Sequence, residues 1–130
     1  MIGIQQLTCA IFSLSQLGHG GFTQIHHPKK VEITVKGRKI RVICTSCGGN
    51  FTYALTSERD GNVWAFGCNS DGQCGIGSDK ETIVPNPVCG LSKKRILMVS
   101  AGFNHGIAMT DNSHQVIFFV FLRMSLDPVY

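Results

Sequence analysis

The side chains with the clearest chemical pattern in this 130-residue sequence are basic, and the formal net charge is +4. Between positions 29 and 41 a single acid, Glu32, faces six cations: Lys29, Lys30, Lys36, Arg38, Lys39 and Arg41. The last two recur 54 residues later as Lys93 and Arg95. Repeated surface charge of this kind attracts acidic proteins, phosphates or nucleic acid. We therefore take Lys39, Arg41, Lys93 and Arg95 as candidate partner-binding residues, with a solvated surface that keeps the chain soluble as the alternative.

The six cysteines are the next candidates, as metal ligands. Cys44 and Cys47 have ligand-like spacing, but no second cysteine pair and no histidine pair follows at the distance of a zinc site. We expect no metal site and no cofactor, with zinc as the minor alternative. The cysteines are interpreted as buried free thiols in a reducing compartment, which favours a cytoplasmic or nuclear location or both.

No catalytic pattern stands out among the histidines, serines and glycines. His105 aligns with Phe51 when the sequence is compared with itself, so we expect a packed, hydrogen-bonded core histidine rather than a base. The sequence contains neither a Gly-x-Ser-x-Gly elbow nor a phosphate loop of the Gly-x-x-x-x-Gly-Lys form. Gly72, Gly75 and Gly77 resemble a nucleotide loop only superficially, because no helix is predicted after them. The chain is therefore predicted not to be an enzyme.

These residues are carried by a sequence that repeats itself. Residues 15–20 match residues 72–77 at an offset of 57, and residues 46–56 match residues 100–110 at an offset of 54. A period in the fifties predicts a repeat architecture in which each unit buries its apolar face against a neighbour.

Each repeat unit is predicted to consist of short antiparallel strands. Strands are expected at 40–44, 51–55, 63–66, 95–99 and 116–119, with a hairpin turn at 60–62 and no helix of normal length. Trp64 is expected to be buried between sheets. The structural turn residues are expected to include positions with positive φ, and they are Gly61, Gly67, Gly72 and Gly75. Short strands with glycine turns at fixed spacing favour an all-β radial or sandwich fold.

Three segments resemble the repeat of RCC1, the regulator of chromosome condensation. They are DGNVWAFGCNSDGQCGIG at 60–77, AGFNHGIAMT at 101–110 and QLGHG at 16–20. The resemblance extends over residues 16–119 and implies a seven-bladed β-propeller in which each blade is a small antiparallel sheet. About two of the seven blades are present, so the expected fold is an incomplete propeller of RCC1-like blades.

The two ends of the chain depart from the repeat. We expect a degenerate N-terminal segment at 1–15, the RCC1-like repeats at 16–119 and a divergent tail at 120–130. A truncated transcript, a variant isoform or a gene fragment would each produce such edges. The uncharged stretch at 116–122 is too short for a membrane helix, so no membrane partner is expected. It has the character of an exposed edge strand, which predicts self-association through sheet edges.

Three functions are compatible with this pattern. The first is a protein-interaction scaffold that presents its rims to a protein partner. The second, implied by the family resemblance, is guanine-nucleotide exchange on a small GTPase by a longer parent protein, which needs a rim that opens the nucleotide site and no acid or base. The third, weaker function is a chromatin or nucleic-acid contact through the basic rim.

Overall fold

The computed structural model describes residues 15–21, 29–58, 63–91, 93–111 and 116–119, and their regular structure is almost entirely β. One 3-10 helix, Ser15–Leu17, precedes nine strands in this part of the chain. The strands are β1 (Ile33–Val35), β2 (Arg38–Ile40), β3 (Val42–Cys47), β4 (Phe51–Thr56), β5 (Val63–Gly67), β6 (Thr82–Pro87), β7 (Ile96–Ala101), β8 (Gly106–Thr110) and β9 (Val116–Phe119).

The nine strands form three antiparallel sheets. The pair β1–β2, here called the basic hairpin, stands alone. The first blade has the order β3-β4-β5-β6, and the second blade has the order β7-β8-β9. Each strand pairs with its sequence neighbour, as expected for blades made of meanders.

The two blades share their backbone details as well as their sequence. In the first blade the amide of Ser57 donates to the carbonyl of Arg41 at 2.9 Å, and 54 residues later Asp111 donates to Arg95 at 3.0 Å. The register shifts between positions 42 and 44 in the first blade and between positions 96 and 98 in the second. The predicted repeat is therefore a repeat of structure.

Strand β4 is buried along its whole length, and its alternate residues serve two different cores. Phe51, Tyr53 and Leu55 pack into a first core between the two blades, together with residues such as Val99 and Ala108 of the second blade. The side chain of Ala54 points the other way, into a second core that includes residues of the basic hairpin. Because alternate side chains of a strand point to opposite faces, β4 contributes to an apolar core on each side of its sheet.

The blades are joined by packing and by hydrogen bonds between their strands. Strand β7 packs against β3 and β4. The amide of Ala101 donates to Ser46 Oγ at 2.9 Å, and the amide of Gly49 donates to the carbonyl of Phe103 at 3.0 Å. A side chain is excluded at Gly106, where an added Cβ would lie 2.4 Å from the ring of Tyr53.

A buried asparagine organises the turn region that follows β5. Asn69 Oδ1 accepts from the amide of Cys74 at 2.8 Å, while Nδ2 donates to the carbonyls of Ser78 at 2.6 Å and Lys80 at 3.1 Å. These bonds satisfy a fully buried polar side chain and fix a loop that has no regular ladder. The carbonyl of Gln73 is thereby held where it accepts a hydrogen bond from the hydroxyl of Tyr53.

The predicted strands differ from the structure at 40–44 and at β6. The single strand expected at 40–44 is two strands, because the chain leaves the basic hairpin at Ile40 and enters the first blade at Val42. Strand β6 was not expected, since it contains Pro85 and Pro87. Prolines are tolerated there because β6 lies at the edge of its sheet.

The burial of Trp64 between sheets is only partial in the structure. Trp64 is half-buried and packs against the second core, on the side of the basic hairpin. Val63 and Ala65, the neighbours of Trp64 in the strand, pack into the first core instead. Adjacent residues of a strand face opposite sides, so the tryptophan lies on the less enclosed face.

The predicted turn glycines lie in the region after β4. Gly67, Gly72 and Gly75 have φ values of 118°, 74° and 62°, whereas Gly61 lies outside the described residues. Gly67 is the most constrained, because an added Cβ would lie 2.5 Å from both the carbonyl oxygen of Asn50 and the Cα of Phe51. Those neighbours are backbone atoms that cannot rotate away.

Replacing Gly67 by alanine should destabilise the fold by about 3 kcal/mol, because left-handed strain and a backbone clash act together. The matched control is Gly37→Ala, where φ is 75° but nothing lies within 4 Å of an added Cβ, so only about 1 kcal/mol should be lost. Urea unfolding of both variants measures the difference. Equal losses would show that the strand contact at Gly67 is not as close as described.

Candidate functional site

The two candidate arginines occupy equivalent places, immediately before the first strand of each blade. Arg41 precedes β3 and Arg95 precedes β7, and both side chains are exposed. Arg95 is restrained by Asp111, whose Oδ2 lies 2.9 Å from Nη1. An exposed pair of this kind contributes little stability, so the charges remain available to a partner.

The two candidate lysines are exposed but lie in different local structures. Lys39 belongs to β2, and its Nζ donates to Glu32 Oε1 at 2.8 Å. Lys93 lies between the blades in a left-handed conformation with φ of 69°. The two arginines thus occupy equivalent positions in the structure, whereas the two lysines do not. A continuous basic stripe through all four residues stays a prediction.

The basic hairpin and the segments beside it hold more positive than negative charge. Glu32 is shared by Lys39 and Lys30, the latter at 3.5 Å, and the hydrogen bond from Lys39 is the main cause that lowers the pKa of this carboxyl. Arg38 lies 3.5 Å from Glu58. Among the described residues, Lys29, Lys36 and Arg41 have no carboxylate within 4 Å.

The hairpin itself was missed from the sequence, although a signal was present. Lys36 and Gly37 form its two-residue loop, with φ values of 49° and 75°. Positive φ at both central positions is the type I′ pattern that favours tight hairpins. A lysine rarely takes the first position, so the residue types of this loop do not by themselves predict a hairpin.

The cysteines do not form a metal centre in the part of the chain that the structure describes. No group of three or more His, Cys, Asp or Glu side chains there could hold a metal ion. Cys44 packs against the first core, while Cys47 on the same strand is exposed. The expectation of buried thiols is wrong for Cys47 and Cys89, which are exposed, whereas Cys74 is fully buried.

The expectation of a core histidine at position 105 is also wrong. His105 occupies the place of Phe51 in the repeat, and its ring lies over Gly102 as the ring of Phe51 lies over Gly48. Phe51 is covered by the second blade, whereas His105 is exposed. The same repeat position is therefore buried in the first blade, where the second blade covers it, and exposed in the second blade.

A feature that the sequence did not suggest is an open cavity of about 510 Å³ beside Trp64. It is lined by residues 18–19, 29–34 and 84–85 together with Trp64, and is called the Trp64 cavity below. The lining comes from four separate segments. Only the tertiary packing of the basic hairpin beside β5 and β6 brings them together.

The comparisons with known proteins agree with this architecture. The family model "Regulator of chromosome condensation (RCC1) repeat" matches residues 13–55 and 60–109. The chain belongs to the RCC1 repeat family. Prp20p of Saccharomyces cerevisiae, the yeast RCC1, superimposes with a TM-score of 0.62 at 16% identity, over 77% of this chain and 25% of the yeast chain. The structure is accordingly one of RCC1-like β-propeller blades.

Two curated relatives carry similar sequence within longer proteins. E3 ubiquitin-protein ligase HERC2 of Mus musculus is 34% identical over 98 residues, which cover 75% of this chain and 2% of the mouse protein. Ultraviolet-B receptor UVR8 of Arabidopsis thaliana is 33% identical over 97 residues, which cover 75% of this chain and 21% of the receptor. The chain thus spans a small part of the length of these relatives.

Among the residues that the structure describes, no helix is long and apolar enough to cross a membrane.

The thiols should differ sharply in reactivity. Burial, with smaller contributions from Cys68 and Glu81, raises the pKa of Cys74 to about 12, so its reactive thiolate is scarce near neutral pH. We expect iodoacetamide at mildly alkaline pH to alkylate Cys47 and Cys89 in the folded chain and to spare Cys74 until urea is added. Peptide mass spectrometry measures each site. Labelling of Cys74 as fast as Cys89 without urea would contradict the described packing.

Proposed function

We propose that this RCC1-repeat chain is a non-catalytic protein-interaction scaffold that binds an acidic protein partner through its basic surface. The observation that supports this most is the excess of exposed cations on and beside the basic hairpin, where Glu32 and Glu58 are the carboxylates paired with them. An excess of one sign of charge steers oppositely charged partners and contributes to specificity.

The residues that shape the repeat are largely committed to structure and leave little else for binding. The glycines after β5 shape a turn, Asn69 ties that turn together, and the strand residues fill two cores. Relatives with this repeat include a ubiquitin ligase and a light receptor, whose activities differ. A shared repeat beneath different activities supports a scaffold role, because fold alone does not determine function.

Guanine-nucleotide exchange on a small GTPase by a longer parent protein is the second candidate. It is supported by the family and by the yeast relative Prp20p, whose crystal structure is described together with its binding properties to Gsp1p and histones. Two blades provide only part of a rim. We therefore propose that this chain alone does not accelerate nucleotide release.

The third candidate is contact with chromatin or nucleic acid through the same cations. It has less support, since single-strand readers place aromatic side chains among their basic residues, and the described residues of the basic hairpin include none. Either the scaffold or the nucleic-acid function suits a cytoplasmic or nuclear location, which we propose for the chain.

Self-association through sheet edges is proposed for the second blade rather than the first. At the edge of the first blade, Gly20 donates to the carbonyl of Ile83 at 2.8 Å, and the side chain of Asn86 donates to the carbonyl of Val84 at 2.9 Å. These bonds occupy groups that an added strand would need. Strand β9 is the edge of the second blade among the described residues.

Reversing the four candidate cations should remove binding to an acidic partner without unfolding the chain. The variant carries Lys39→Glu, Arg41→Glu, Lys93→Glu and Arg95→Glu, and the matched control exchanges lysine and arginine at the same positions so that each charge is kept. Binding to poly-L-glutamate and to a short DNA duplex is measured by fluorescence anisotropy at low and physiological salt. We expect the reversal to abolish binding to poly-L-glutamate and the control to keep it.

The salt series and the two probes separate the candidate functions. Binding should weaken towards physiological salt, because exposed charges are screened over about 8 Å there. Retained poly-L-glutamate binding in the reversal variant would contradict the proposed surface. Preference for DNA would favour the nucleic-acid function, and faster nucleotide release from a small GTPase in the presence of the chain would favour exchange.

A further inference from the structure

The Trp64 cavity combines an apolar floor with a positively charged rim. Its floor includes the half-buried indole of Trp64, the buried side chain of Ile33 and the partly exposed Val84 and Pro85. The cavity has a volume of about 510 Å³ and is lined by apolar and polar groups in similar measure, and its volume falls in the range of ordinary ligand pockets.

The charge around this cavity is unbalanced. Lys29, Lys30 and His19 line it, and the acid that faces them is Glu32. The carboxylate of Glu32 is already shared between Lys30 at 3.5 Å and Lys39 at 2.8 Å, and Lys29 has no carboxylate within 4 Å among the described residues. Burial and then the positive charge of Lys29 lower the pKa of His19, so the imidazole is neutral near pH 7 and can also donate or accept a hydrogen bond.

We propose that the Trp64 cavity binds an acidic peptide segment, with an apolar side chain over Trp64 and a neighbouring carboxylate at Lys29. This inference rests on the proposed scaffold function and names the chemistry of its partner. The apolar side chain would cover the exposed part of the floor, and the carboxylate would pair with the lysine that lacks an acid. The two features lie on one cavity, so a short segment can use both.

The composition of the lining favours a peptide over the other anionic ligands. An inorganic oxyanion would use the lysines and leave the apolar floor uncovered. A nucleic-acid strand would gain most from aromatic platforms for successive bases, yet the rings that line the cavity are the indole of Trp64 and the imidazole of His19, and its apolar walls are otherwise aliphatic. A peptide in which an aliphatic side chain stands next to a carboxylate can contact the apolar floor and the positively charged rim at the same time.

The single tryptophan of the chain makes the cavity directly observable, because Trp64 is the source of all tryptophan emission. The probe is the acetylated and amidated tetrapeptide Glu-Leu-Glu-Glu, added to the full chain. The comparison probes are Glu-Ser-Glu-Glu, Gln-Leu-Gln-Gln, an oligothymidylate and inorganic phosphate. We expect Glu-Leu-Glu-Glu to shift the emission at the lowest concentration, and the serine and glutamine peptides to require about tenfold more.

A pair of charge variants tests the role of the rim. Lys29→Glu should weaken the peptide by about tenfold, as expected when an attraction of about 0.7 kcal/mol becomes a repulsion of the same size. Lys94→Glu is the matched control, since Lys94 is exposed and does not line the cavity, and it should change the affinity by less than about twofold. Far-ultraviolet circular dichroism verifies that both variants are folded.

Each other outcome overturns the assignment. No change in emission, or equal affinity of Lys29→Glu and the unmodified chain, would show that the cavity does not bind acidic peptides. Stronger binding of phosphate or oligothymidylate would assign it to an oxyanion or a nucleic acid instead. If the peptide fails while reversal of Lys39, Arg41, Lys93 and Arg95 still abolishes poly-L-glutamate binding, the scaffold function stands and the Trp64 cavity is not its site.

Discussion

Strand β4 is buried along its whole length, and its hydroxyl groups must therefore find partners inside the protein. Thr52 donates to the carbonyl of Gln16 at 3.0 Å on one side, and Tyr53 donates to the carbonyl of Gln73 on the other. The two acceptors are equivalent residues of neighbouring repeats. A buried hydroxyl without a hydrogen-bond partner costs about 1–3 kcal/mol. Strand β4 therefore needs a carbonyl acceptor on each side, which Gln16 and Gln73 provide. This requirement links sequence repeats to the packing of successive blades.

The same requirement commits residues of the repeat motif to structure, which supports the proposal that binding uses the exposed surface. Burial raises the pKa of Tyr53 and of Cys74, which keeps both groups neutral, as a packed interior needs. The turn glycines and Asn69 are equally committed to shape. Exposed charge is not committed to packing in this way, and in this chain it gathers near the basic hairpin that covers the second core.

Local sequence predicted the parts of the fold that local chemistry determines. The strand candidate at 51–55 and the aromatic, β-branched segment at 63–66 predicted β4 and β5, and the motifs at 16–20, 60–77 and 101–110 indicated the family. The local sequence did not predict features that depend on packing against a neighbouring blade or sheet. His105 and Phe51 share a repeat position, yet only the second blade decides that Phe51 is covered. The Trp64 cavity was equally hidden, because its walls come from segments that no sequence window contains. The domain limits at 1–15 and 120–130 stay predictions, since most of those residues lie outside the described part of the chain.

Native-state hydrogen exchange tests the central position of β4 most directly. If β4 is the strand on which both neighbouring units depend, the amides of Thr52, Tyr53 and Ala54 should exchange more slowly than those of β7 and β8. Their opening free energy should equal the global free energy of unfolding measured in urea. The contrary result is exchange of the β4 amides through a smaller local opening, at a rate equal to or faster than that of the second blade, which would show that β4 is not the shared core of the two units.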